Sequence, residues 1–100
     1  MTSCGLCDID PRTNKTFVKD YGLWTLLVNR KQPTLGSALL VLNRHVEWLP
    51  DLTDEEAVNY LHAARELEEK LKGVFKPDMV NHLMLANVVR HLHYQVVPRY

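Results

Sequence analysis

The chain has 100 residues, 46% hydrophobic and 24% charged, which makes one domain with one modest core and excludes a disordered segment. Twelve Lys and Arg against twelve Asp and Glu leave no net charge, which excludes a general nucleic-acid binder, since a polyanion is held by a basic surplus. No apolar run approaches the ~20 residues of a membrane span, and residues 1–10 lack the apolar stretch of a secretory leader; a soluble, cytoplasmic protein with no membrane partner is expected.

In chain order, residues 8–20 are polar and predicted to be irregular. Residues 24–29 (WTLLVN) are apolar and strand-like. Residues 30–36 (RKQPTLG), with Pro33 and Gly36, read as a turn, and residues 37–42 (SALLVL) as a second strand on length. Thr53 and Glu56 form a Thr-x-x-Glu capping box that opens a long helix. Ala57, Leu61, Ala64, Leu67 and Leu71 recur at steps of three or four and predict its buried face, with Gly73 as the expected left-handed C-terminal cap. The helix carboxylates Asp54, Glu55, Glu56, Glu66, Glu68 and Glu69 read as first-turn and solvated outer positions, and His62 as a surface histidine. Pro77 and Asp78 mark a turn before an apolar run over 79–85. Residues 91–97 (HLHYQVV) alternate by type, so in a strand His91, His93 and Gln95 share one face and Leu92, Tyr94 and Val96 the other. Pro98 is expected to end that strand. Two strands on either side of one helix, joined by short connections, predict an α+β fold with an antiparallel sheet. Trp24, Leu26 and Leu42 read as core.

Three constellations offer chemistry. Cys4 and Cys7 form a Cys-x-x-Cys pair, which in a reducing compartment suits a metal or redox site better than a structural disulfide. Two thiolates from one tight turn suit a tetrahedral zinc ion, and two histidines would complete the set. Five histidines offer many pairs, so on spacing alone a free cysteine pair stands slightly ahead. His91, His93 and Gln95 place two imidazoles and an amide together. Histidine attacks phosphorus and works as acid or base near neutral pH, and an amide donates to phosphate oxygens; a polar strand face turned to solvent is the alternative. Asn29, beside Arg30 and Lys31, reads on its own as a turn residue, with a ribose or phosphate contact as the second reading.

The segment RHLHYQVVPRY, residues 90–100, resembles the signature of the histidine triad (HIT) superfamily, which is His-apolar-His-apolar-His followed by apolar residues and often Pro-Arg. Residues 26–56 resemble the family's upstream half of strand, Pro-Gly turn, strand, His and capped helix. Residues 75–89 resemble the strand and loop before the triad. The likeness covers roughly residues 4–100 and implies a single HIT-like domain over residues 1–100, with residues 1–20 as an N-terminal segment carrying the cysteine pair. It implies an antiparallel half-barrel sheet with one long helix packed on it.

By this resemblance His93 is the nucleophile that attacks the α-phosphorus of a nucleotide and carries a nucleotidyl-histidine intermediate, with His91 and Gln95 beside it. Asn29 matches a ribose or phosphate contact, Asn87 a phosphate contact, and Asn81 a further contact from the preceding strand. The third triad position is Gln95 and not His. That His-x-His-x-Gln form resembles the galactose-1-phosphate uridylyltransferase and dinucleoside tetraphosphate phosphorylase branch, in which the matching zinc ligands are Cys4, Cys7, His45 and His91. The implied zinc is structural, fixing the strand that presents His93. A Gln amide donates a hydrogen bond but no proton, so substrates with good leaving groups, or transfer to an acceptor other than water, are expected. Ser37 also stands where many members carry a His. The family's usual homodimer, built through the helix and its neighbouring strand, is expected, with a nucleotide or dinucleotide as substrate. The alternative is a weakly active or non-catalytic nucleotide-binding module with a structural zinc.

Overall fold

Five strands and one long helix form from residues 4–85 and 89–100, the residues described by this computed structural model. The strands are β1 (Phe17–Asp20), β2 (Trp24–Val28), β3 (Ala38–Leu42), β4 (Met79–Leu83) and β5 (His93–Arg99); the helix α1 (Asp54–Phe75) lies between β3 and β4. All strand pairs are antiparallel, in the order β1-β2-β3-β5-β4. This is the α+β architecture expected, with one more strand before the helix than the residue pattern predicts.

That extra strand corrects the reading of residues 8–20 as irregular. β1 forms an edge strand with three of its four residues exposed, so its place comes from backbone pairing with β2 and not from apolar side chains. Its register shifts between Phe17 and Lys19, an irregularity of the kind that blunts an open edge.

The core lies between the sheet and α1. Leu26, Ala38, Leu40, Leu42, Val80 and Val96 face the helix together with Trp24 and Leu92. Tyr60 of α1 stacks on Tyr94 at 4.0 Å between ring centroids and meets the edge of Trp24 at 5.0 Å. Trp24, fully buried, donates its indole N–H to the Glu56 carbonyl at 2.8 Å, so its polar atom is satisfied. This aromatic group turns the helix relative to the expected face: Tyr60, Ala63, Ala64, Leu67 and Leu71 are buried, whereas Ala57 and Leu61 are exposed. Aliphatic periodicity alone does not weigh Tyr60.

The helix also runs past Gly73 to Phe75, and Lys76 takes the left-handed capping conformation at φ 52°. The reason lies in the β2–β3 turn. Gly36 has φ +91°, and a Cβ there would sit 3.0 Å from the Phe75 ring, so the last helical turn closes onto a residue that must lack a side chain. Pro98 does not end β5 either, which continues to Arg99. β3 has no partner for β5 beyond Ala38↔Val96, so only β4 flanks the proline, which a strand tolerates.

The capping box forms as expected: Glu56 N–H donates to Thr53 Oγ1 at 3.0 Å, and Thr53 N–H to Glu56 Oε1 at 2.9 Å. Glu56 is not a solvated carboxylate, however. It is 5% exposed and accepts a two-pronged bond from Arg44 at 2.8 and 3.0 Å, which satisfies its buried charge. These Arg44 bonds, against the opposing effect of burial, hold Glu56 below its usual range. A depressed carboxylate pKa adds stability that is complete above the unfolded value of about 4.3 and is lost as pH falls through the lower folded value. Glu56→Gln should therefore melt below the parent at neutral pH, and the gap should close between about pH 5 and 3. Thermal unfolding across that range checks this, and a constant gap contradicts it.

Candidate active site and metal centre

The sheet face turned away from α1 carries the first site. Residues alternate along each strand, so His93 and Gln95 point opposite to Tyr94 and Val96, alongside their cross-strand partners Val41 and Leu39. Both polar residues are half-buried. His93 Nδ1 lies 2.7 Å from the His91 carbonyl oxygen. A carbonyl only accepts, so Nδ1 carries the ring proton and donates it there, and Nε2 of the neutral ring keeps its lone pair.

His91 does not join that face. It lies in a bend before β5, and its ring is fully buried. Its Nε2–H donates to the Leu42 carbonyl at 2.6 Å, which leaves the Nδ1 lone pair directed at Cys4 Sγ (3.3 Å), Cys7 Sγ (3.5 Å) and His45 Nδ1 (3.2 Å). His45 Nε2 in turn faces Glu47 Oε2 at 3.3 Å, while its Nδ1 is 3.1 Å from Cys7 Sγ. The main chain brings these pieces together: Leu92 N–H donates to Val46 O at 2.7 Å, Leu42 N–H to Leu92 O at 3.2 Å, and the Cys4–Cys7 turn closes on itself at 3.2 Å.

All four donor atoms lie within 4.8 Å of one another, and these residues could hold one metal ion. The donor set itself favours a cation. Nδ1 of His45 and Nδ1 of His91 converge at 3.2 Å, and hydrogen bonds to Cys4 and then Glu47 raise His45, so the pair favours a positive charge between the rings, a proton or a metal ion. Separations of 3.1–3.5 Å approach the edges, roughly 3.3–3.8 Å, of a tetrahedron built on zinc–nitrogen and zinc–sulfur bonds. The thiols resist double ionisation: Cys7 is pushed up to about 11, first by its hydrogen bond to Cys4. Burial raises Cys4 as well, but hydrogen bonds from Cys7 and the Leu6 backbone outweigh it and leave Cys4 below its ordinary value. Burial, the largest effect on His91, keeps that ring below its ordinary value, the direction a neutral ligand needs.

The other expected site residues are placed as follows. Asn29 follows β2 opposite Ser37, its N–H donating to Ser37 O at 3.2 Å and its carbonyl accepting from Gln32 Nε2 at 2.6 Å. Ser37 stands four residues from Val41, the partner of His93, a step of roughly 13 Å along a strand. Asn29 and His93 are thus separated along the sheet. Asn81 pairs with Val97 on the edge strand, and its Oδ1 accepts from Arg99 Nε at 2.8 Å. Asn87 lies outside the described residues. A concavity of about 680 Å³ lies elsewhere, lined by Gly22, Leu23, Val58 and Asn59.

Sequence reasoning missed the supports. Glu47 orients His45 and also pairs with Arg90 at 3.2 Å; the His45-x-Glu47 spacing was a signal for it. The Leu42 and His91 carbonyls, which select the two histidine tautomers, leave no trace in residue identity.

A family model described as HIT domain matches residues 10–100. Protein hit of Bacillus subtilis (strain 168) is 31% identical over 74 residues, which cover 69% of this chain and 51% of that protein; the chain spans about half the length of that relative. A HIT family protein from Bacillus anthracis has the same fold, with a TM-score of 0.83 at 22% identity over 98% of this chain and 76% of that one. A Zn-bound histidine triad family protein from Mycobacterium smegmatis gives 0.74 at 18% identity over 85% and 66%.

Proposed function

Since the chain belongs to the HIT domain family, we propose that it is a nucleotide-binding phosphohydrolase or nucleotidyl transferase that works through His93. The substrate class is a dinucleoside polyphosphate, a nucleoside phosphoramidate or a nucleotide sugar, attacked at the α-phosphorus. The observation that carries this reading is the half-buried His93 ring on the sheet face away from α1, with its Nδ1–H on the His91 carbonyl at 2.7 Å. That bond leaves Nε2 as the nucleophilic nitrogen and offsets the positive charge the ring acquires when Nε2 bonds to phosphorus. The bond from phosphorus to the leaving group then breaks, leaving a nucleotidyl-histidine. Attack by water or another acceptor frees His93.

Gln95 limits the first step. Its amide can hold a phosphate oxygen or the leaving atom but cannot deliver a proton. Gln95→His should raise turnover of substrates with poor leaving groups by about 100-fold, the lower end of general acid catalysis, and leave good leaving groups little changed. Steady-state rates on a phosphoramidate series check this. Nucleotide binding with turnover only in that variant would favour the second reading, a non-catalytic nucleotide-binding module, for which the Gln at this position is the motive. Asn29 takes the ribose end, and Asn81 and Asn87 the polar surround of the phosphates.

Cys4, Cys7, His45 and His91 take a structural zinc ion in this reading, supported by their donor chemistry and by the Zn-bound relative of the same fold. When bound, the ion supplies a fixed anchor for His91. The His-x-His-x-Gln motif together with this ligand set supports a likeness to the uridylyltransferase and dinucleoside tetraphosphate phosphorylase branch. The reading extends to a cytoplasmic location, where the thiols stay reduced. It also includes a homodimer through α1 and β4, the edge strand where Met79 is 61% exposed; sedimentation equilibrium reads the oligomer directly. Crystals soaked with a nucleoside monophosphate test the site: phosphate oxygens are expected within about 3.2 Å of His93 Nε2, and a phosphate bound away from this face contradicts the proposal.

A further inference from the structure

The metal centre and the nucleophile share one residue. His91 turns Nδ1 to Cys4, Cys7 and His45 at 3.3, 3.5 and 3.2 Å, while its backbone carbonyl takes the His93 Nδ1–H at 2.7 Å. His91 lies in a bend outside β5, and the peptide unit that carries its carbonyl is tied by Leu92 N–H to the carbonyl of Val46, the residue after the ligand His45, at 2.7 Å. The described bonds on His91 besides these are its N–H to Val89 O at 2.9 Å and its Nε2–H to Leu42 O at 2.6 Å. Its ties to the cysteines join positions 87 and 84 residues apart in the chain. The carbonyl that selects the His93 tautomer is thus held, in part, by the ligand cluster.

Cys4 and Cys7 are both free and both half-buried. They occupy one turn closed by Cys7 N–H to Cys4 O at 3.2 Å. Such a turn keeps the end Cα atoms within about 7 Å, which overlaps the ~4.4–6.8 Å that a disulfide spans, and the two sulfurs are within 4.8 Å of each other. The same pair can serve as two metal ligands or as one disulfide, but not as both.

We propose that the Cys4–Cys7 pair is a redox control on His93: a peroxide joins the two sulfurs, the metal ion leaves, and the His91 carbonyl no longer holds the His93 ring in one tautomer. This rests on the reading of His93 as nucleophile. One thiolate attacks a peroxide oxygen; the O–O bond breaks, giving a sulfenic acid and one water after protonation. The second thiolate attacks that sulfur; the S–O bond breaks and a second water leaves. The sulfurs lose two electrons and the peroxide gains them. Two imidazoles remain, too few for a tetrahedral site. A thiol reductant with added zinc reverses the change.

The test uses the full chain, reduced and loaded with zinc, titrated with hydrogen peroxide. Intact mass follows the disulfide, a chromogenic chelator follows free zinc, and long-range nitrogen–proton NMR of the imidazoles follows the His93 tautomer. Turnover of a nucleoside phosphoramidate is read in parallel. Disulfide and free zinc should rise together, one per chain. The single Nδ1–H pattern of His93 should be lost, and turnover should fall ~10- to 100-fold, as when the support of a site residue is removed. Reductant plus zinc should restore all of these. Cys7→Ser, which lacks both a metal ligand and the partner sulfur, should bind zinc more weakly and show the unheld His93 pattern before any peroxide is added; if that variant does not fold, the titration of the parent decides alone. Zinc retained in peroxide, cysteine oxidised beyond the disulfide without recovery, or zinc released with the His93 pattern unchanged overturns the proposal. If the reduced, zinc-loaded protein turns over no nucleotide, the functional reading fails, and the mass, chelator and NMR results still decide the coupling.

Discussion

His93→Ala should fold as the parent does and lose turnover by roughly 10³-fold or more, because in the proposed reading His93 is the nucleophile and its loss removes the covalent route and not one contact among several. The fold is expected to survive because His93 is half-buried on the face away from α1, outside the group of residues that packs against the helix. Its ring makes one described hydrogen bond, to the His91 carbonyl, and surface or boundary changes of this kind cost little. Rates on a nucleoside phosphoramidate together with a melting curve separate the two effects. Near-parental turnover in a well-folded His93→Ala protein would mean that the chemistry happens elsewhere.

Stripping the metal should lower stability by about 4 kcal/mol when the free ion had stood near a thousand times its dissociation constant, which for a domain of this size is a fall in Tm of roughly 15 °C or more. The cause is topological. The four donors come from a turn at residues 4–7, the segment after β3, and the bend before β5. A shared ion therefore ties both ends of the chain to its middle, and its binding energy enters the folding energy. Without it, the four donor atoms crowd within 4.8 Å of one another with no shared ion to hold them. Differential scanning calorimetry with and without a chelator measures the difference. Equal melting temperatures, with metal content confirmed before and after, would remove the structural role.

Local chemistry carried much of this architecture in plain view. β2 and β3 are short apolar runs, and the Thr53–Glu56 box announces where α1 begins. β1 was hidden because an edge strand needs backbone pairing and few apolar side chains. The end of α1 was hidden because Phe75 extends it to meet Gly36, 39 residues earlier in the chain, and no local rule sees that contact. The site was legible to the same degree. Strict alternation put His93 and Gln95 on one face, and the structure keeps them there. His91 broke that pattern because the strand starts only at His93, which frees its ring to turn toward residues more than 80 positions away. Which nitrogen of each histidine carries the proton is decided by the Leu42 and His91 carbonyls, backbone atoms that every residue possesses. Tautomers become visible only once the chain has folded.

Mass spectrometry of the protein quenched during turnover of a nucleoside phosphoramidate addresses the central claim most directly. A nucleotidyl group should be found on the peptide that contains His93, joined through nitrogen and lost on mild acid treatment. Turnover in the absence of any such adduct, or an adduct carried by a different residue, would contradict the account.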